Sequence, residues 1–321
     1  MSTQTLCVLG GTGFVGRHLV PRLHDAGHHV RVLSHRRERH RELLVLPRVT
    51  VDEVDVYDSA ALAAALAGCD AAINLVGILN ERGSDGSGFE RAHVTLPGVL
   101  VEACRQAGVG RLLQMSALHA DAEHGPSHYL RSKGRGEALV HAAHGPGLAV
   151  TSFRPSVIFG PGDGLFSRFA GLLALSPGVF PLACAKARFA PVYVGDVVHC
   201  FAQALTDPAT HGQRYDLCGP EVWTLHQLVE YTAEQAGLDR WVVPLGEDLS
   251  RLQARVMEWV PGKPFSRDNL RSTTVDSTCS GPFPELFGIV PRSIEQVVPG
   301  YLGPRQKNPR YHRLRRVAGR G

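Results

Sequence analysis

The sequence predicts an α/β fold, a doubly wound parallel sheet with a small C-terminal α+β domain. Three observations carry this. A glycine-rich turn joins an apolar run to a helical pattern at the very start of the chain. Apolar strand patterns then alternate with helical ones, as βαβ units require. The 321 residues, 44% hydrophobic and 20% charged, are ample for one large globular domain and a smaller one.

The first strand is the run Leu6-Cys7-Val8-Leu9. Gly10, Gly11, Thr12, Gly13, Phe14, Val15 and Gly16 follow, and Phe14, Val15, Leu19, Leu23 and Ala26 repeat at helical spacing. The glycines therefore sit where a strand turns into a helix. Gly10 makes the turn, Gly13 lets a pyrophosphate approach the backbone, and Gly16 lets the helix pack against the sheet. The helix N-terminus offers N–H groups and a positive dipole end to phosphates. This is the fingerprint of a Rossmann dinucleotide site; a Gly-rich turn that binds nothing is the alternative.

His29–Leu33 reads as the second strand. A site for NAD(H) places an Asp or Glu after it for the ribose 2′-OH. Here the residues are Ser34, His35, Arg36 and Arg37. Arg36 or Arg37 suits a 2′-phosphate, with Ser34 hydrogen-bonding beside it and Arg17 near. NADP(H) is thus favoured over NAD(H); a solvated, charged helix start is the plainer alternative. Val49–Val54 is the third strand. Asp55 and Val56 end it beside the crevice, where Asp55 either meets the adenine or caps the helix Ser59–Leu66. Ala71–Gly77 is a continuous apolar strand in which Leu75, Val76 and Gly77 would border the dinucleotide. Residues 80–88 read as a mobile polar loop. Phe89–Gln106 is helical and Arg111–Met115 is the fifth strand.

Ser116 follows that strand, and a predicted helix carries Tyr129 and Lys133 four residues apart, on one face. The spacing suits proton transfer: the ammonium lowers the phenol's pKa and holds the ribose, and the phenol exchanges a proton with a substrate oxygen. Leu148–Phe153 is the sixth strand, and Pro155 lies just past it. Phe166–Leu175 is an apolar helix. Arg188 either meets an anionic substrate or lies on the surface. Asp196 and Thr224 read as helix caps, and Leu249, Leu252, Val256 and Trp259 form an apolar face expected to pack into the core.

Together, Gly10–Gly16, Asp55-Val56, Asn74–Gly77, Tyr129-x-x-x-Lys133 and Arg154–Asp163 resemble the extended and atypical short-chain dehydrogenase/reductases, the epimerase/dehydratase superfamily. Met115–Leu118, Tyr129–Lys133, Pro191–Val198 and Leu217–Glu221 are similar to one branch, which holds the nucleotide-binding accessory subunit of mitochondrial complex I and its bacterial relatives. The resemblance covers about residues 5 to 300. It implies a dinucleotide-binding domain in residues 1–160, with 188–220 returning to it. It implies a smaller substrate side in 161–187 and 221–303. Two departures stand out. The family's catalytic Ser or Thr falls at Ala117, so Ser116 either substitutes or the hydroxyl is missing. The helix position that usually supplies Asn holds His93. Both fit tight nucleotide binding with slow turnover in a respiratory or quinone-related role. An active NADP-dependent reductase or sugar-nucleotide epimerase or dehydratase is the alternative, with Tyr129, Lys133 and Ser116 catalytic. A nucleotide-sensing regulator is a third.

The net charge of +4 is unevenly spread. No acidic residue follows Glu295, and residues 304–321 hold seven Lys and Arg, leaving 27 of the 34 basic residues against 30 acidic ones. That basic tail reads as disordered and suits an anionic membrane surface or a respiratory complex; nucleic acid is not expected. The polar N-terminus and the scarcity of long apolar runs point to a cytoplasmic protein, peripheral at the membrane's inner face at most. The seven cysteines are scattered and read as free thiols; the sixteen histidines read as surface residues, and no metal is expected. Oligomerisation through the helices at Phe89 and Tyr129 is compatible with the family.

Overall fold

The computed structural model describes residues 3–260, 263 and 265–302. The predicted basic tail lies outside the described residues. Seven strands form one sheet: β1 (Thr5–Leu9), β2 (His29–Ser34), β3 (Val49–Glu53), β4 (Ala71–Asn74), β5 (Arg111–Met115), β6 (Ala149–Pro155) and β7 (Arg214–Leu217). Their order is β7-β6-β5-β4-β1-β2-β3, every neighbouring pair parallel. The connection reverses direction between β1 and β4, and a crevice opens there at the strands' C-terminal ends.

Period-two alternation divides the core into two layers. Leu6 and Val8 of β1 pack with Leu19, Val20 and Leu23 of α1 (Phe14–Asp25). Cys7 and Leu9 face the other way, to Leu62 and Leu66 of α2 (Ser59–Leu66) and Leu100 and Cys104 of α3 (Leu96–Ala107). Because helices cover both faces, Leu6–Leu9 of β1 and Ala71–Ile73 of β4 are buried apolar runs rather than alternating. On the second layer α3 is joined by α4 (His128–Ala142), which supplies Val140.

A second lobe follows. It contains α5 (Phe166–Leu175), a parallel pair of strands Val179–Leu182 and Trp241–Pro244, and the helices Leu225–Gln235 and Glu247–Met257. Its own core gathers Leu173, Leu182, Leu225, Val229 and Val242. Helix Leu225–Gln235 starts at the expected Thr224, whose side chain forms a capping box with Gln227.

Several readings are corrected. The fourth strand ends at Asn74, because Asn74 turns its side chain back to accept from the Val76 N–H at 3.1 Å and Leu75–Gly77 leave the sheet. Residues 80–88 are not a free loop. Buried Glu81 accepts from the N–H groups of Gly86 and Gly88, and the Lys263 ammonium caps the carbonyls of Glu81, Arg82 and Gly83. Helix α2 is capped by Asp58, not Asp55. Asp196 lies inside helix Val194–Ala204 and accepts from the Arg292 N–H at 2.8 Å, so it ties down the C-terminal segment rather than capping. Cys218 and Cys279 are not free thiols but form a disulfide, with Cα atoms 6.0 Å apart. Sixty-one residues separate them, and only the return of the chain alongside the end of β7 brings them together. The apolar face of Glu247–Met257 points outward. Ser250 and Ala254 face inward instead, and Gln253 pins the helix to the backbone of Pro181 and Ala183.

Candidate functional site

The turn after β1 shows why its residues are glycines. Gly10 has φ of +76°, and a Cβ there would stand 2.9 Å from the Leu75 carbonyl carbon, so the β1 turn and the loop after β4 touch backbone to backbone. At Gly16 a Cβ would lie 2.4 Å from the backbone of Gly11. Gly13 is the N-cap of α1 and brings no side chain to the helix end. The N–H groups of Phe14, Val15 and Gly16 therefore face the crevice mouth without a side-chain cap, as a phosphate site needs. Phe14 and Val15 side chains pack on the first core layer.

At the adenosine end, Ser34 is buried and its Oγ accepts from the Arg36 N–H at 3.3 Å. The Arg36 and Arg37 side chains are exposed. Their neighbour Arg17 is turned away, its guanidinium 3.4 Å from Glu42 and its Nε on the Thr12 carbonyl. Sequence reasoning missed one group here. Glu53 stands opposite Ser34 in the β2–β3 register, and its carboxylate accepts from the Arg37 N–H at 2.7 Å. A carboxylate does therefore reach this end of the crevice, and only strand pairing reveals it. Asp55 accepts from the Tyr57 N–H, Val56 is buried in the second layer, and Leu75 and Val76 split between the two layers. Pro155 ends β6, its carbonyl holding the Leu118 N–H.

Tyr129 and Lys133 are on one face of α4, as their spacing predicts. The Tyr129 ring meets the edges of Phe89 and His93, with centroids 6.1 and 5.5 Å away. Lys133 is buried, and its Nζ donates to the Met115 carbonyl at 3.2 Å. A Cβ on Gly77 would come within 3.0 Å of that Nζ, so the missing side chain keeps the ammonium's place open. Burial pushes the Lys133 pKa down to about 8, against a smaller raising effect of Glu137. Burial pushes the Tyr129 phenol up to about 12. The expected lowering of the phenol by Lys133 is thus not found: burial is the cause of the shift, and the ammonium is directed at Met115.

Ser116 is sealed from solvent, and its Oγ has no hydrogen-bond partner of regular geometry. Its electrostatic influence falls on Glu137, whose carboxylate is held below its ordinary value against the cost of burial by Arg154 first, then Ser116 and Arg214. Glu137 is bound by Arg154 and, at 2.8 Å, by Arg214 Nε. Ser116 thus belongs to the buried layer under α4, and Ala117 stands beside it without a hydroxyl.

His93 is not a surface residue. It sits in a π-helical turn, Arg91–Thr95, just before α3, fully buried. Its Nε2 accepts from the Ile78 N–H at 3.1 Å, so Nδ1 carries the proton and donates to Ser132 Oγ at 2.9 Å. Ser132 passes a bond to the Tyr129 carbonyl. Burial, then the charge of Lys133, lower the imidazole's pKa to about 2, so it is a neutral brace between the β4 loop and α4. A further brace was not legible in the sequence. Asp268, 140 residues downstream, accepts from the N–H groups of His128 and Tyr129 at the start of α4. Arg188 is exposed and faces Asp276 at 3.8 Å.

The NAD dependent epimerase/dehydratase family model matches residues 6–218, from β1 through β7. The chain is 33% identical over 230 residues to "NADH dehydrogenase (ubiquinone) 1 alpha subcomplex subunit 9, mitochondrial" of Arabidopsis thaliana, which covers 70% of this chain and 56% of that protein. The mouse protein of the same name is 31% identical, with 59% of its length covered, so the chain spans a little over half of these relatives. A "Ceramide reductase" of Caulobacter vibrioides is 36% identical over 198 residues, 60% of this chain and 57% of that one. Among solved structures, DesIV, a dTDP-glucose 4,6-dehydratase of Streptomyces venezuelae with NAD and TYD bound, superposes with a TM-score of 0.74 at 22% identity, over 93% of this chain and 95% of that one. This likeness is one of fold.

Proposed function

Since the chain belongs to the NAD dependent epimerase/dehydratase family, we propose that it holds a nicotinamide dinucleotide tightly and turns it over slowly, in a respiratory-chain or quinone-related role. The residues fit such a group. Gly10, Gly11, Thr12, Gly13, Phe14, Val15 and Gly16 would cradle the pyrophosphate on the α1 N-terminus. Ser34, Arg36 and Arg37 would meet a 2′-phosphate, which favours NADP(H); Glu53 supports NAD(H) as the second choice. Asp55, Val56, Leu75, Val76, Gly77 and Pro155 would border the adenine and nicotinamide, and Lys133 would hold the ribose. The bound dinucleotide would supply hydride chemistry.

One observation carries the slow-turnover reading. Ala117 stands where the family resemblance expects a substrate-polarising hydroxyl, and the adjacent hydroxyl, Ser116, is enclosed beneath α4 beside Glu137. A positioned donor lost from such a site costs about 10²-fold or more in rate. Tyr129, at a pKa of about 12, is protonated at neutral pH and can give a proton but not readily take one. The names of the plant and mouse relatives support the respiratory assignment. The basic residues 304–321 fit a cytoplasmic protein held at an anionic membrane surface. Among the described residues no helix is long and apolar enough to cross a membrane.

Native mass spectrometry of protein purified without added nucleotide tests this. Retained NADP(H), with NADPH oxidation far below the usual 1 s⁻¹ or more, is the expected result. An empty protein overturns tight binding. Brisk turnover selects the second reading, an active reductase using Tyr129 and Lys133, which their shared face on α4 favours.

A further inference from the structure

A water-soluble lobe normally turns the apolar stripe of a helix inward. Helix Glu247–Met257 does the reverse. Leu249, Leu252 and Val256 are each about half exposed, and Trp259, just past the helix, is 90% exposed. These positions recur at helical spacing, so they form one continuous outward stripe. The inward side is Ser250 and Ala254, and Gln253 bonds the backbone of Pro181 and Ala183. The neighbouring strand pair adds to the same lobe's exposed surface: Trp241 is 75% exposed and pairs with Val179, itself half exposed.

The acids near the stripe are paired. Glu247 and Asp248 face Arg251, and Glu258 faces Arg267 at 3.0 Å. The stripe's polar flank is therefore close to neutral and offers an anionic surface little repulsion. The last described turn, Pro299–Leu302, packs among Phe166, Leu228 and Tyr231 of this lobe. The sequence beyond it carries seven Lys and Arg and no acid. An apolar, tryptophan-edged helical face and a polybasic segment thus issue from one lobe.

We propose that Leu249, Leu252, Val256 and Trp259 lie in the headgroup boundary of an anionic phospholipid membrane. The proposal rests on the membrane placement proposed above for the tail, but is read from different residues. Tryptophan prefers that boundary, with its ring among acyl chains and its N–H toward headgroups. An in-plane helix needs an apolar face and a polar one, and a second, basic signal makes the attachment firm.

The test is flotation of the full chain with phosphatidylcholine vesicles, with and without phosphatidylglycerol, using wild type, the triple variant L252E/V256E/W259E and a deletion of 304–321. The wild type is expected to float with the phosphatidylglycerol vesicles. The triple variant should lose at least about tenfold in vesicle affinity while it still unfolds cooperatively, its melting temperature only slightly lowered, since the residues are half or more exposed. The deletion should bind weakly and without regard to phosphatidylglycerol. Loss with the deletion alone, the triple variant floating like wild type, overturns the helix contact and leaves the tail reading standing. A wild type that floats with neither vesicle overturns both. A wild-type dimer in light scattering that the triple variant breaks, with no flotation, assigns the stripe to a second copy and overturns the lipid.

Discussion

At the β1 turn, close approaches are made by glycine; across the crevice at α4 they are made by large, mostly buried side chains. Gly10 and Gly16 bring backbone against backbone and leave the first N–H groups of α1 uncapped. Across the switch point, Tyr129, Lys133, His93 and Glu137 are packed among rings and ion pairs. The first end is uncapped and positive by its helix dipole, which suits the pyrophosphate common to all dinucleotides. The second end is rigid, desolvated and lacks a hydroxyl at 117. Holding a nucleotide needs only the first. Rapid chemistry needs the second to present a phenol, an ammonium and a hydroxyl donor together.

The contrast breaks most sharply at Gly16. Gly16→Val would drive a side chain into the Gly11 backbone, an overpacking strain of about 3 kcal/mol or more. Dinucleotide affinity measured by calorimetry should fall at least about 100-fold, whereas Tyr129→Phe should leave it within about twofold. Equal losses in both variants would show the two ends are not separable. Next in size is Ala117→Ser. A hydroxyl restored at that position should raise NADPH-dependent turnover by roughly 10- to 100-fold, read in a steady-state assay against carbonyl substrates. No gain would place the missing function elsewhere. A smaller effect is expected at the adenosine end. The double change Arg36→Ala and Arg37→Ala should weaken NADP(H) about tenfold and NAD(H) hardly at all. A parallel loss for both nucleotides would assign that end to Glu53.

The smallest effect is the pH dependence of Lys133. Its folded pKa, about 8, lies below its ordinary 10.5, so between these values the unfolded chain binds the extra proton. Stability from this group therefore rises as pH increases through that window. The ammonium that would hold the ribose is present below about pH 8 and is lost above it. Nucleotide affinity should thus decline several-fold as pH passes 8, and the decline should vanish in Lys133→Met.

The disulfide separates the lobes differently. It joins the end of the sheet to the C-terminal segment across 61 residues. In the chain-entropy account, closing such a loop contributes about 4 kcal/mol. Reduction should lower the melting temperature without abolishing nucleotide binding at the β1 turn.

The sequence by itself determined what depends on local pattern. The β1–turn–α1 unit, the parallel sheet and the shared face of Tyr129 and Lys133 follow from spacing within a few residues, because backbone geometry fixes which side chains share a face; that Ala117 stands where a hydroxyl is expected is what the family resemblance implies. Tertiary structure alone decided what depends on distant segments meeting. Glu53 reached the adenosine end through strand register, and Asp268 reached the start of α4 from 140 residues away. His93 became a buried brace through Ile78 and Ser132. Cys218 found Cys279, and the stripe of Glu247–Met257 turned outward because Ser250 and Ala254 take the buried side and Gln253 bonds the Pro181 backbone. Periodicity reports that a helix has an apolar face; only packing against the rest of the chain decides which way that face looks.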